Sequence, residues 1–279
     1  MSGTLYLCAT PIGNLGDISL RCIEVLKTVD LVAAEDTRRT VQLLNHLGIS
    51  KPLTSYHEHN KHDKGKYIIS LLKDGKNVAQ VSDAGTPAIS DPGEDLVKLC
   101  IENDINVTSI PGPVAGVNAL ILSGLPTRRF SFEGFLSVNK RHRKEHLDSV
   151  KNDTHTLIFY EAPHKLKTTL ADMAAVFGGG RRVALVRELT KVHEEAIRTT
   201  LDEALEIYND SSPRGEYVII VEGAQESADN ESAWWDGLSV AEHVEKYIAD
   251  GVPSKEAVKK AAADRNIPKR DVYNEYHNI

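Results

Sequence analysis

Cysteine is scarce: Cys8, Cys22 and Cys100 are the only three in 279 residues, an odd number with no CxxC spacing. That argues against a disulfide framework and against a cysteine-built zinc site, and no metal is expected. Long apolar runs are also missing. No stretch approaches the roughly 20 consecutive apolar residues of a membrane-spanning helix, so no membrane partner is expected. Met1-Ser2-Gly3 leads directly into Leu5-Tyr6-Leu7, with no cationic opening, long apolar region or cleavage site. A cytoplasmic protein without a signal peptide is the expectation. No internal repeat is visible.

Positive charge is in deficit, with 33 Lys and Arg against 40 Asp and Glu and a formal net charge of −7. The deficit is local. Glu222, Glu226, Asp229, Glu231, Asp236, Glu242, Glu245 and Asp250 face only Lys246 across residues 222–250. Residues 125–145 run the other way, with Arg128, Arg129, Lys140, Arg141, Arg143 and Lys144 against Glu133 and Glu145. Because a polyanion is steered by patches and not by the sum of charges, the acidic average excludes little. What is present is ordinary for a globular enzyme: 41% hydrophobic and 26% charged residues, in a chain long enough for two domains.

The first 125 residues alternate strand and helix signals. Residues 5–9, 31–34, 77–81 and 107–110 read as short buried strands; 18–29, 40–47, 94–101 and 114–122 read as amphipathic helices. Such alternation implies a parallel sheet covered by helices on both faces. After Gly124-Leu125-Pro126 the rhythm changes. Strands are expected at 156–160, 182–186, 196–200 and 217–221, with helices near 165–176 and 202–208. The alternation in Ala196 to Thr200 suggests a mixed or antiparallel sheet. The fold class is therefore α/β, with two α/β domains at 1–118 and 119–224. An acidic linker over 225–236 and helices at 240–248, 255–264 and from Pro268 make up a C-terminal extension, 225–279.

Ligands in open parallel sheets bind at the carboxyl ends of strands, and three Gly/Pro-rich loops fall there. Ala9 to Asp17 follows the first strand and is neither GxGxxG nor a Walker sequence, which disfavours a phosphate cradle. Ser82 to Gly93 is a rigid loop rich in carbonyls and carboxylates, suited to a cation or to the hydroxyls and amino group of a nucleoside. Ile110-Pro111-Gly112-Pro113-Val114-Ala115-Gly116 again turns a strand into a helix. Any one of them is ordinary turn chemistry; three at one sheet edge indicate a site.

These loops, together with Ala34-Glu35-Asp36-Thr37-Arg38, Tyr160 to Lys165, Arg187 to Lys191 and Gly215 to Val218, resemble the tetrapyrrole-methylase superfamily. The likeness is greatest to its branch that 2′-O-methylates cytidine in 16S ribosomal RNA. Tetrapyrrole-acting members typically carry Gly-Asp-Pro where this chain has Ser82-Asp83-Ala84, a departure that favours the RNA branch. The resemblance implies two α/β domains with S-adenosylmethionine folded in the cleft between them. Its walls would be Pro11, Asp83, Ala84, Gly85 and Ile89 of the second loop, Val114, Ala115, Tyr160 and Leu189. It further implies a cytidine ribose in the decoding region of the small ribosomal subunit as substrate, and a homodimer.

Methyl transfer to a ribose hydroxyl needs alignment and removal of the hydroxyl proton during or after attack. Asp36 can accept that proton or bind ribose, or it can simply cap a helix. Arg38 and Arg39 can hold flanking phosphates. Glu188 and Lys191 form a second charged pair at a strand end; Lys191 serves as base if its pKa is depressed, otherwise as a phosphate contact or a plain ion-pair partner. His57 is a histidine, the residue type most often used for proton transfer near neutrality, and His57, His59 and His62 are taken as members of an exposed loop, not a metal site. Arg128, Arg129, Lys140, Arg141, Arg143 and Lys144 are expected to form a phosphate track. Lys255, Lys259, Lys260, Arg265, Lys269 and Arg270 sit on a helix-turn-helix-like appendage joined through Asn266-Ile267-Pro268, a weaker RNA contact. Trp234 and Trp235 either stack bases or pack that appendage. Two other activities stay open: methylation of a tetrapyrrole carbon, and a non-catalytic ribosome assembly factor that keeps a cofactor pocket.

Overall fold

The computed structural model describes residues 2–209, 212–225, 234–265 and 267–277. The chain divides into two compact units, 1–224 and 225–279. In the first unit, β1 (Thr4–Cys8), β2 (Leu31–Ala34), β3 (Leu53–Ser55), β4 (Val78–Val81) and β5 (Asn106–Ile110) form a five-stranded sheet in the order β3-β2-β4-β1-β5. Every pairing in it is parallel. All four residues of β4 are buried, as a central strand covered on both faces requires. On one face, α1 (Leu20–Thr28) and α2 (Thr37–His46) bring Leu26 and Leu44 against Val32 and Ala79. On the other, α3 (Lys61–Lys73) and α4 (Gly93–Glu102) bring Ile68, Leu72 and Leu96 against Leu5, Ala33 and Val78.

The alternating pattern anticipated this sheet except for β3 and α3. The first turn of α3 reads Lys61-His62-Asp63-Lys64, polar enough to hide its helical period. His62 therefore lies on a helix and not in the loop expected for residues 57–62. Gly65 makes the close packing of α3 on α4 possible, because a Cβ there would come within 2.8 Å of Leu99 Cδ1.

The second sheet is mixed, as its sequence pattern suggested. β6 (Phe130–Phe135), β7 (Thr156–Glu161), β8 (Arg182–Arg187), β9 (Glu195–Thr200) and β10 (Tyr217–Val221) run in the order β6-β7-β10-β8-β9. β6 and β7 are parallel and the remaining pairs antiparallel. β6 was not anticipated; its pairing slips between Phe132 and Gly134, where Gly134 adopts a φ of 65° at a bulge. Phe159, Leu185 and Ile219 face α6 (Lys140–Val150), α7 (Leu166–Phe177) and α8 (Leu201–Ile207). The opposite face holds α5 (Ala115–Ser123), whose Ala119 and Leu120 pack on Ile158, Ala184 and Ile220. A cut between 118 and 119 passes through α5, and this packing puts the whole helix with the second sheet.

The second unit contains α9 (Val240–Ala249), α10 (Ser254–Asp264) and α11 (Lys269–Tyr276) around Val244, Ala257, Val258, Ala261 and Val272. Most of the acidic stretch 225–236, and Asn266, lie outside the described residues. Trp235 stacks on the His243 ring at 5.1 Å and 7°, and Trp234 meets the same ring edge-on at 4.7 Å. Both tryptophans pack on His243, while Trp234 stays 48% exposed. Buried His243 accepts from Arg265 Nε at 3.0 Å through Nδ1 and sets Nε2 3.3 Å from Asp264 Oδ2. No helix among the described residues is long and apolar enough to cross a membrane, and all three cysteines are free and buried.

Desolvation, then the Arg265 guanidinium, hold the His243 pKa below the usual value, against an opposing pull from Asp264. A histidine with a lowered folded-state pKa binds fewer protons folded than unfolded, so stability falls as pH drops below its unfolded value of about 6.5. The two tryptophans of the chain both touch this histidine, so their fluorescence reports the C-terminal unit. The melting midpoint followed by that fluorescence is expected to fall from roughly pH 7.5 to 5, and His243→Gln is expected to flatten the fall. A midpoint independent of pH in the wild type would contradict the assignment.

Candidate active site at the strand ends

The loops after β1, β4 and β5 are tied together by their own backbones. Thr10 N–H donates to Gly85 O at 2.9 Å and Gly85 N–H returns to Thr10 O at 3.1 Å. Thr86 Oγ1 donates to Pro113 O at 3.0 Å. Gly85 is required here: its φ is 82°, and a Cβ would lie 3.1 Å from Ile12 Cγ2 and 3.3 Å from Pro113 O. Two further bonds join these loops to the second sheet. Gly116 N–H donates to Tyr160 Oη at 2.9 Å, and Asn14 N–H donates to Thr190 Oγ1 at 3.0 Å. Ile12, Ala115, Tyr160 and Leu189 then share one apolar cluster. Of the residues expected to line a cofactor cleft, Gly85, Ala115, Tyr160 and Leu189 are brought together. Pro11 and Val114 flank them in the chain, while Ala84 and Ile89 are exposed on the loop surface.

Residues in rarely populated backbone conformations concentrate in two of these loops. Ala88 and Ser90 have φ values of 67° and 61°, and Glu188 and Thr190 have 49° and 67°, each worth about 1–3 kcal/mol of strain. Asp91 helps hold the first pair: its carboxylate accepts from Gly93 N at 2.7 Å and from the N–H groups of Ala88 and Ile89, although burial pushes its pKa up. Gly13 admits the second turn, since a Cβ there would lie 2.8 Å from Thr190 Oγ1.

The charged candidates are engaged with one another. Asp36 caps α2 by accepting from Arg38 N at 2.9 Å and binds the Arg38 guanidinium at 2.7 Å. The Arg38 side chain and then its backbone N–H hold the Asp36 pKa down to about 2. Asp83 accepts from Asp36 N at 2.9 Å and pairs with Arg39 Nη1 at 3.3 Å. Partial desolvation, then the carboxylates of Asp83 and Asp91, raise the pKa of Glu35. Lys191 does not have the depressed pKa that a base would need. Desolvation alone would lower it, but the Glu188 hydrogen bond at 3.0 Å and the field of Glu216 more than offset this, and the pKa rises. Glu188 is lowered in turn: desolvation is opposed by Lys191 and by the Glu216 N–H. His57 Nε2 sits 3.2 Å from Asn60 Nδ2. Among the described residues no group of three metal-ligating side chains converges.

Five of the six basic candidates are exposed and one is not. Lys140, Arg141 and Lys144 are exposed on the first turns of α6. Arg128 and Arg129 are exposed before β6. Arg143 leaves the set altogether. Its side chain is 10% exposed and pairs with Asp172 at 2.6 Å, while Nη1 donates to Ser137 O and Val138 O. It buttresses the turn into α6. Gln42 and His46, absent from every motif, share with Arg39 the helical stripe of α2 that looks onto the loop after β1; only their i, i+3, i+7 spacing could have flagged them.

Residues 4–205 match the family described as Tetrapyrrole (Corrin/Porphyrin) Methylases. The chain belongs to this family of methyltransferases, and its two-sheet α/β architecture is the family's fold. Its similarity is to proteins named ribosomal RNA small subunit methyltransferase I. The one from Halalkalibacterium halodurans is 54% identical over 275 residues, 99% of this chain and 95% of that protein. The one from Bacillus subtilis is 51% identical over 276 residues, 99% and 94% of the two chains. Among solved structures, diphthine synthase has a TM-score of 0.61 at 14% identity, covering 79% of this chain and 90% of that one. Uroporphyrin-III-C-methyltransferase from Thermus thermophilus has a TM-score of 0.54 at 18% identity, over 80% and 93%. Both share the fold.

Removing the Tyr160 hydroxyl leaves the buried Gly116 N–H without its acceptor. Tyr160→Phe is expected to lower the stability of unit 1–224 by about 1–3 kcal/mol in urea unfolding of the full chain. A loss under about 0.5 kcal/mol would show that water replaces the hydroxyl.

Proposed function

We propose that this chain transfers a methyl group from S-adenosylmethionine to the 2′-hydroxyl of a cytidine ribose in 16S ribosomal RNA, in the decoding region of the small subunit. What carries the reading is likeness along nearly the whole chain to proteins named for small-subunit ribosomal RNA methylation. Ser82-Asp83-Ala84 at the β4 loop supports it over a tetrapyrrole substrate, and the exposed lysines and arginines on α6 suit an RNA better than a porphyrinogen. The protein is read as cytoplasmic and as a homodimer, in which a second copy covers the exposed Ile121, Phe130, Phe135 and Val138. Within residues 1–224 the two α/β domains hand over at Pro111–Val114, ahead of α5.

The residues present fit the cofactor. Its sulfonium and ammonium are cations, and the strand-end loops carry the carboxylates of Glu35, Asp83 and Asp91; desolvation first, and then the other two carboxylates, raise the pKa of Glu35. Pro11, Asp83 to Gly85, Ile89, Val114, Ala115, Tyr160 and Leu189 would hold it. When bound, it supplies a methyl group on a sulfur that departs as a neutral thioether. The chain's own task is alignment. Asp36, held ionised, accepts a hydrogen bond from the ribose hydroxyl and orients it; at a pKa of about 2 it is a weak base, so the proton passes on to water during or after attack. Arg38 and Arg39 take flanking phosphates, and the Lys191 cation, positioned by Glu188, adds a further phosphate contact. Arg128, Arg129, Lys140, Arg141 and Lys144 engage more distant phosphates from separate surfaces.

The test is transfer of labelled methyl from S-adenosylmethionine to small subunits that lack the modification, followed by nucleoside analysis. 2′-O-methylcytidine is the expected product, and another modified nucleoside or no incorporation would refute the assignment. Asp36→Asn keeps the helix cap and should reduce kcat by about tenfold or more with cofactor affinity in calorimetry unchanged; an unaltered kcat would remove Asp36 from the mechanism.

A further inference from the structure

Beside the strand-end loops, a cavity of about 280 Å³ opens between the loop after β1 and α2, with Pro11, Leu15, Arg39, Gln42, His46 and Asp83 on its walls. The reading above has no use for Leu15, Gln42 or His46. We propose that this groove is a nucleotide subsite, which receives the base of a residue adjoining the methylated ribose. The proposal rests on the ribosomal RNA reading and deepens it.

Size comes first. The cavity falls just under the roughly 300–1,000 Å³ of typical small-molecule pockets. It suits one nucleobase and is too confined for a macrocycle. The walls divide by chemistry as a nucleotide does. Leu15 is 44% exposed although apolar, and it offers nonpolar surface to the face of a base. Gln42 presents a donor and an acceptor on one amide, the combination that reads a base edge, and His46 lies one helical turn further along the same stripe. Neither side chain has a hydrogen-bond partner among the described residues, so both are free to serve a ligand. Arg39 stands at the mouth. One of its nitrogens pairs with Asp83 at 3.3 Å while its side chain stays 65% exposed, which leaves further N–H groups for a phosphate.

Position completes the argument. Asp83 borders the groove on one side and accepts the Asp36 N–H on the other, so a base in the groove neighbours the ribose that Asp36 orients. A nucleotide turned out of an RNA helix loses stacking worth a few kcal/mol. A groove that packs its neighbour on Leu15 returns part of that loss and fixes the register of the target.

Steady-state kinetics on unmodified small subunits test this with Gln42→Ala, His46→Ala and Leu15→Ala, and with Asn45→Ala, on α2 but not on the groove wall, as control. All four positions are exposed, and thermal melting checks that each variant is folded. The groove variants are expected to raise KM for the subunit about tenfold, a loss of about 1.4 kcal/mol, with kcat within about twofold and S-adenosylmethionine affinity in calorimetry unchanged. The control should match the wild type. If the wild type methylates subunits and all three groove variants keep its KM within about twofold, the subsite is overturned while the RNA reading stands. If the wild type transfers no methyl to subunits, the RNA reading fails and the subsite falls with it.

Discussion

The paired backbone hydrogen bonds between Thr10 and Gly85 hold the rest of the site in place. In a parallel sheet every strand releases its loop on the same edge, and each such loop carries N–H and C=O groups that need partners. Here the loops serve one another. The β1 loop pairs with the β4 loop, the Thr86 hydroxyl ties that loop to Pro113, and the close approach is possible because residue 85 has no side chain. From this knot, Asn14 reaches Thr190 and Gly116 reaches Tyr160, so both sheets are referred to one fixed point. Strain at Ala88, Ser90, Glu188 and Thr190 is tolerated because the surrounding bonds over-determine those turns.

A second consequence concerns charge. The acids and bases at the strand ends neutralise one another: Asp36 with Arg38, Asp83 with Arg39, Glu188 with Lys191. Pairing makes them dependable in orientation and poor as proton shuttles, because a carboxylate beside a guanidinium is hard to protonate and an ammonium beside carboxylates is hard to deprotonate. Such a site is built to position reactants. That suits transfer from an already activated methyl donor, where most of the barrier is met by alignment. Gln42 and His46, whose side chains have no hydrogen-bond partner among the described residues, line the groove beside this network.

Much of this was legible in the order of residues. Alternating apolar strands and amphipathic helices over the first half implied a parallel sheet, and Gly/Pro-rich strand ends marked its working edge. The same rules missed β3 and α3, since three residues are too few to show alternation and a lysine-rich first turn masks a helical face. They missed β6, where a bulge breaks the period. They also misjudged Arg143. Its sequence neighbours are exposed cations, and only the packing of α7 supplies the Asp172 that draws it inward. For Lys191 the local partner Glu188 was visible in the sequence, whereas Glu216 comes from a segment 25 residues away.

What the sequence by itself determined was therefore the class of fold, the strand-end loops and the family likeness carried by their motifs. Periodicity and turn chemistry are local properties, expressed wherever the chain goes. Tertiary structure alone decided which charges are spent on one another, which cations remain on the surface, and which side chains of α2 face the groove. Asp36–Arg38 and Glu188–Lys191 are neighbours in the chain, but the Arg39–Asp83 and Arg143–Asp172 pairs and the groove depend on distant segments meeting, and on the desolvation that their meeting imposes.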